Sequence, residues 1–436
     1  MSGRDEQDAP DAGFGESSRY AAHLDRGWAL LDKGELEAAR TSVQHAQDVR
    51  PDDPDAALLL GAIALAEGDA PEALRCYDRA IELDGDYLEP YAAAAAVCLY
   101  DLDDAVRGLR YASEALEIDD LAPLELIDLQ LIAAECELVG EDVRGAHERL
   151  AELPETAVLE AGLELASTGA EPSADDDPAR LAAHEFLSLD AEGELLEEDE
   201  RTERGQRAVG LALRLGQAWM DSRHENEAHA LLRKLVEWFP RDPEAWSLVA
   251  ELEFRRGQLG ESARAACKTL ELDAEIPLPE FVPTPAVVHR RIVGTLAHCG
   301  EPKLAALVEG DRSPTILVRD LPPAEMLLEG TSPRIAVLAT ASRDPEGEID
   351  GPASLTGLVV YRKNLAKFVR DADGFDEELR YAVLEELAMF FGLSAKSRRN
   401  LGLDPSLAPE PVSRGEESLI DAKPRRRKAS PRKRKD

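Results

Sequence analysis

Apolar and polar positions alternate at helical spacing from about Arg19 to about Glu155, and the alternation itself recurs. "LLDKGELEAAR" places Gly34 in a turn between two apolar-faced stretches, and "ALAEGDAPEALR" places Gly68 in the same context. The offset from Gly34 to Gly68 also joins Gly27 to Gly61, Ala39 to Ala73 and Ala46 to Ala80, and Pro51 ends the first unit where Gly85 ends the second. Small residues at fixed positions permit close approach of two helices, glycine permits the turn, and proline stops the second helix. A third unit follows from about Glu89 with one residue inserted, and a fourth, "LIAAECELVGEDVRGAHERL", keeps a turn glycine at Gly140. The pattern lapses from Thr156 to about Gln206 and returns at "LRLGQAWMDSRHENEAHALLRKLVEWFPRDPEAW", where Gly216, Ala228 and Pro240 repeat the positions of Gly27, Ala39 and Pro51. The next unit carries Trp246 and Gly257 and ends at "TLELDAE".

The pattern changes after "EIPLPEFVPTP". A helix, "AVVHRRIVGTLAHC", precedes three short strand-like runs, "PTILVRDL", "PRIAVLATA" and "TGLVVYRK". Two helices follow, "NLAKFVRDA" and "DEELRYAVLEELAMFFGL". The expected organisation is mainly α: a disordered N-terminus (1–18), four repeats (19–155), an acidic linker (156–206) in which "ARLAAHEFLSL" forms an isolated helix, two further repeats (207–277), a small α+β domain (285–403), and a disordered tail (404–436) that is basic from 423.

The repeat resembles the tetratricopeptide family, whose units of about 34 residues are antiparallel helix pairs stacked into a solenoid. The resemblance implies a groove lined by the first helix of each unit and occupied by a peptide or helix. Counted from Gly27, Gly61 and Ala96, its positions are Leu24, Trp28, Leu31, Leu58, Ala62, Leu65, Ala93, Val97 and Tyr100. Such a stripe is apolar, and Leu24 and Trp28 stand where a carboxylate-gripping groove would carry Lys or Asn. It fits an apolar or amphipathic partner segment better than an acidic tail.

The order of "LVVYRKNLAKF" and "EELRYAVLEELAMFFGLS" resembles the bacterial minimal zincin-like metallopeptidases, over about residues 287–402. That resemblance implies a zinc-binding H-E-x-x-H helix with a third ligand just beyond its glycine. Glu386, Ala388, Phe391, Gly392, Leu393 and Ser394 fit the pattern, but Glu385, Met389 and Ala395 stand at the three ligand positions. Catalytic zinc needs three protein ligands and an open site for water. One carboxylate and a thioether do not supply them, and a rescue by His289 or His298 would need ligands converging at about 2 Å. No bound cofactor or metal is expected. Glu386 reads as a surface acid, and Met389 and Phe390 as packing residues. The expected domain is a pseudo-peptidase, with a divergent, substrate-delivering metallopeptidase as the alternative.

Charge and cysteines complete the picture. The formal charge is −38, yet the last fourteen residues carry +8, leaving −46 on the rest. The tail cations Lys423, Arg425, Arg426, Arg427, Lys428, Arg432, Lys433, Arg434 and Lys435 fit a polyanion, including nucleic acid, or the acidic body itself. Five scattered cysteines, no long apolar run and a polar start predict a cytoplasmic protein. The sequence thus predicts a non-catalytic scaffold or adaptor, with a nucleic-acid-associated protein acting through its tail as a further alternative.

Overall fold

The computed structural model describes residues 12–404, apart from residues 120, 152, 154–155, 171–176, 190–194, 309–312, 343–353 and 368. The chain divides into two compact units, and the division falls between Leu231 and Leu232.

The first unit is built of helical pairs. They are α1 (Ala12–Asp32) with α2 (Leu36–Val49), α3 (Pro54–Ala66) with α4 (Ala70–Leu83), α5 (Leu88–Tyr100) with α6 (Ala105–Ala115), and α7 (Pro123–Val139) with α8 (Val143–Leu150). Then come α9 (Thr156–Thr168), α10 (Pro178–Ser188), α11 (Glu198–Asp221) and α12 (Glu225–Trp238), in which the division falls. The small residues lie where the period requires them. Ala39, Ala46, Ala73 and Ala80 are fully buried, and a Cβ on Gly61 would overlap the Tyr77 ring. Aspartates account for part of the acidity, since Asp53, Asp69, Asp104 and Asp142 each accept from a backbone N–H in the first turn of the helix they precede.

The turns fix the register. In each pair, the backbone N–H opening the second helix reaches back to the first: Glu35 to Leu30, Asp69 to Ala64, Asp104 to Cys98, Asp142 to Glu137 and His224 to Trp219. Leu30, Ala64 and Cys98 are evenly spaced by one period, so the third first-helix has no insertion; the extra residue sits in the turn between Cys98 and Asp104. Each turn also holds one residue at positive φ: Gly34, Gly68, Asp103, Glu141 and Arg223. In the fourth repeat this residue is Glu141, and Gly140, expected to be the turn glycine, closes α7 with a negative φ.

Two expectations about extended segments are corrected. Helix α1 starts at Ala12, inside the stretch expected to be disordered. The segment expected to be an acidic linker is largely helical: α9 and α10 pack together, burying Leu159, Leu163, Ala183 and Leu187. Helical apolar spacing outweighs the acid around it. Glu198, Asp199 and Glu200 form the first turn of α11, where the helix dipole favours carboxylates, and Arg204 of that helix donates to the Phe186 and Leu189 carbonyls at the end of α10.

The second unit begins within α12 and continues with the pair α13 (Pro243–Arg255) and α14 (Leu259–Glu275). Next come α15 (Pro285–His298), α16 (Pro302–Ala305), β1 (Thr315–Arg319), α17 (Ala324–Leu328), β2 (Val337–Ser342), β3 (Ser354–Tyr361), α18 (Arg362–Ala366), α19 (Ala372–Phe390) and α20 (Ala395–Leu401). The sheet order is β1-β3-β2, with β1 parallel and β2 antiparallel to the central β3. Helices α15 and α19 pack on it and on each other, burying Val288, Ile292 and Leu296 against Leu358, Val360, Leu379, Val383 and Leu387. All three expected strands are present, and with them the small α+β layer.

The last helix pair is joined to that layer by charge. Asp273 of α14 is 1% exposed; it pairs with Lys367 at 2.5 Å and with Arg334 at 3.5 Å. Arg334 also reaches Glu244 of α13 at 2.6 Å, and Lys363 donates to the carbonyls of Asp273, Ala274 and Ile276 at the end of α14. Burial lowers the Lys367 ammonium pKa from its ordinary value, against the pull of Asp273. The α+β layer therefore caps the final repeat through ionic contacts.

Candidate functional site

The predicted stripe begins on α1 and continues over α3 and α5. Trp28 is 38% exposed at one end, while Leu31, Leu58, Ala62 and Leu65 are half-buried. Leu24 is withdrawn into the core of the first repeats with Tyr20, Val43 and Leu59. On α5 the unbroken repeat register makes Ala92, Ala96 and Leu99 the counterparts of Leu58, Ala62 and Leu65. Ala93 is therefore half-buried one position off the stripe, and Val97 is a core residue, 2% exposed. The insertion expected before α5 lies after it, which rotates the predicted positions by one residue.

Tyr100 is 51% exposed and belongs to a polar cluster that the sequence did not single out. Its hydroxyl donates to Glu135 of α7, and Arg214 of α11 stands 6.0 Å from its ring centre. Arg214 pairs with Asp128 at 2.6 Å and with Glu135 at 3.0 Å. Burial, together with the Glu135 carboxylate, raises the Tyr100 phenol pKa. The spacing of Asp128 and Glu135, two turns of one helix, is the signal that could have placed them on one face. Arg214, distant in sequence, had no such signal.

The α5–α8 core also disposes of the thiols. Burial pushes Cys98 up to about 11 and Cys136 up to about 12, so neither is poised as a thiolate nucleophile.

In the second unit, the motif positions on α19 and α20 have defined partners. Glu385 is 7% exposed and forms an ion pair with Arg398 of α20, which is fully buried. Arg398 Nε also donates to the Asp404 carbonyl at 2.7 Å. Glu386 accepts the Ala339 backbone N–H of β2 at 2.8 Å, so it ties α19 to the strand and is no simple surface acid. Met389, expected to pack, is 56% exposed, because it falls on the outer face of the last turn of α19; Phe390 is half-buried with its ring edge-on to Phe391. Ala395 opens α20 and brings no donor atom. A guanidinium already neutralises the only carboxylate among the three ligand positions, so these residues do not fit a zinc ion. His298 Nδ1 is bonded to the Gly294 carbonyl of its own helix. Among the described residues no three His, Cys, Asp or Glu side chains gather as a metal site, and no helix is long and apolar enough to cross a membrane. The nine tail cations from Lys423 to Lys435 lie outside the described residues.

These features define a repeat protein of stacked helix pairs. Residues 24–87 and 213–275 match the tetratricopeptide repeat model, and those segments are tetratricopeptide repeats. No curated protein matches the sequence. Among solved structures, PilF of Pseudomonas aeruginosa is 13% identical, covering 60% of this chain and 95% of its own at a TM-score of 0.40. PilW, a type IV pilus biogenesis factor, is 14% identical with the same two coverages and TM-score. YrrB, a tetratricopeptide protein with an unusual peptide-binding site, is 12% identical, covering 53% and 93% at a TM-score of 0.33. Likenesses this distant do not bear on this chain's partner or role.

Proposed function

We propose that the protein is a cytoplasmic scaffold that binds an apolar or amphipathic segment of a protein partner along α1, α3 and α5, and that its α+β layer is a non-catalytic, zincin-like module. Tetratricopeptide proteins typically act as protein-binding scaffolds, and two stretches of this chain are such repeats. The observation that carries the reading is the stripe from Trp28 through Leu31, Leu58, Ala62 and Leu65: apolar, half open, and recurring with the repeat period. An exposed indole at its end is the type of side chain that dominates interface energetics. The non-catalytic reading of the α+β layer is supported by the engagement of Glu385 with Arg398 and of Glu386 with β2.

The test compares the proteins retained from lysate of the native organism by the intact chain and by Trp28→Ala/Leu58→Ala, after nuclease treatment. Loss of a specific protein by the variant, with its helical circular dichroism unchanged, is the expected result. Retention of the same proteins by both forms would remove the stripe as the contact.

A further inference from the structure

One register position carries an acid in several of the helix pairs. Equally far before the turn-accepting carbonyls of Ala64, Cys98, Glu137 and Glu253 stand Asp55 of α3, Glu89 of α5, Asp128 of α7 and Glu244 of α13; Ala21 and Gly210 stand there in α1 and α11. Asp55 and Glu89 fall one turn before Leu58 and Ala92 and two turns before Ala62 and Ala96, so they border the stripe. In α3, α5 and α13 the acid lies in the first turn, where the helix dipole favours it whatever it meets, so its presence alone assigns no ligand. Its partners do. Asp128 holds the Arg214 guanidinium of α11 at 2.6 Å, and Glu244 holds Arg334 at 2.6 Å with the Lys367 ammonium at 3.8 Å. In both cases the cation comes from outside the helix pair that carries the acid. Asp55 and Glu89 meet no such cation among the described residues: Asp55 accepts from the Tyr87 hydroxyl, and Glu89 is exposed.

We infer that the partner segment of the stripe is basic: its apolar side chains lie on Leu58, Ala62 and Leu65 beside Trp28, and arginines along its border pair with Asp55 and Glu89 as Arg214 and Arg334 pair with Asp128 and Glu244. The inference rests on the stripe proposed above and names the chemistry of its partner. A body carrying −46 draws such a segment in and repels an acidic one. The protein's own tail has the cations, but from Lys423 to Asp436 it carries no Leu, Ile, Val, Met or aromatic residue to lie on the stripe.

Isothermal titration of the intact chain with three helical peptides tests it, each with leucines on one face, bordered by arginine, by glutamine or by glutamate. Saturable one-to-one binding of the arginine peptide is expected, with the glutamine peptide about tenfold weaker, as for two partly solvated ion pairs, and the glutamate peptide silent. Asp55→Asn/Glu89→Gln should bring the arginine peptide to the affinity of the glutamine peptide and leave the latter unchanged. Asp48→Asn/Glu185→Gln removes the same charge from exposed positions on α2 and α10 and should change neither. Equal affinities of the arginine and glutamine peptides would overturn the basic partner, and so would an equal loss of the arginine peptide in the two double variants. In that event, weakening of both peptides by Trp28→Ala leaves the stripe itself standing. If no peptide binds, or Trp28→Ala changes nothing, both readings fall. A peptide of residues 423–436 that binds as tightly as the arginine peptide would assign the acids to the protein's own tail and overturn a partner.

Discussion

The two units treat charge in opposite ways. In the tetratricopeptide pairs of the first unit the buried positions are mainly Ala, Leu, Val and Gly, and the acids sit at helix starts or on the surface. In the second unit, carboxylates and cations are themselves buried: Asp273 beneath Lys367 and Arg334, and Glu385 against Arg398. Repeats can bury methyl groups alone because each helix meets the same neighbour geometry again and again. The α+β layer must meet the end of a repeat, whose last carbonyls and side chains are polar, and it does so with opposite charge. Removing one partner from such a buried pair strands the other, so it costs more than losing a surface ion pair.

The largest effect that would break this contrast is therefore in the second unit. Asp273→Ala leaves Lys367 and Arg334 without their buried carboxylate, and unfolding in urea should show a loss of about 3–5 kcal/mol. A loss below about 1 kcal/mol, the range of a surface pair, would mean that the ionic cap is incidental.

In the repeats the corresponding weakness is steric. Gly61→Ala drives a methyl group into the Tyr77 ring, and thermal unfolding should show about 1–3 kcal/mol of destabilisation from overpacking. Smaller still is an expected gain. Glu141 holds positive φ at a turn where Gly34 and Gly68 do the same without strain, so Glu141→Gly should stabilise by about 0.5–1 kcal/mol. An unchanged or lower midpoint would show that the Glu141 side chain offsets its backbone strain.

The last expectation concerns pH and sharpens the contrast, because the first unit also holds a titratable side chain, His224, in a buried turn. His147 of α8 and His224 of the α11–α12 turn are stacked with ring centres 4.0 Å apart, with Ser222 Oγ 3.1 Å from His224 Nδ1. Burial, then the facing His147, lowers the His224 pKa, while Glu227 acts weakly in the other direction. The unfolded chain thus binds this proton more readily than the folded one. The contribution to stability is full above about pH 6.5, the ordinary histidine value, and is lost as the pH falls below it towards the depressed folded value. Urea midpoints at about pH 7.5 and about pH 5.5, on either side of that value, should drop further for the natural chain than for His224→Gln. Equal drops would assign the pH dependence to other groups.

Much of the first unit was legible because its determinants are local. Gly34 and Gly68, Ala39 and Ala73, and Gly216 with Ala228 each mark a helix pair within a single repeat, and the structure has those pairs. On α1 and α3 Trp28, Leu31, Leu58, Ala62 and Leu65 are partly exposed while Leu24 is core, and the predicted positions slip by one residue on α5, because an insertion in a turn and one in a helix leave the same total length. The acidic stretch was misread for a related reason. Composition weighs Glu198, Asp199 and Glu200 as solvated charge, whereas at the start of α11 they are helix-forming. In the second unit the three strands and the long helix α19 were readable from their apolar runs, yet the partners of Glu385, Glu386 and Asp273 were not.

The sequence by itself determined the helix pairs, their period, the small residues at their contacts and the order of strands and helices that follows. Each of these depends on residues within a few turns of one another, where spacing along the chain is spacing in space. Only the tertiary structure decided that Arg214 of α11 meets Asp128 and Glu135 of α7, and that Lys367 closes over Asp273. Ion pairs of this kind arise between surfaces brought together by folding, and no periodicity in either surface records its partner.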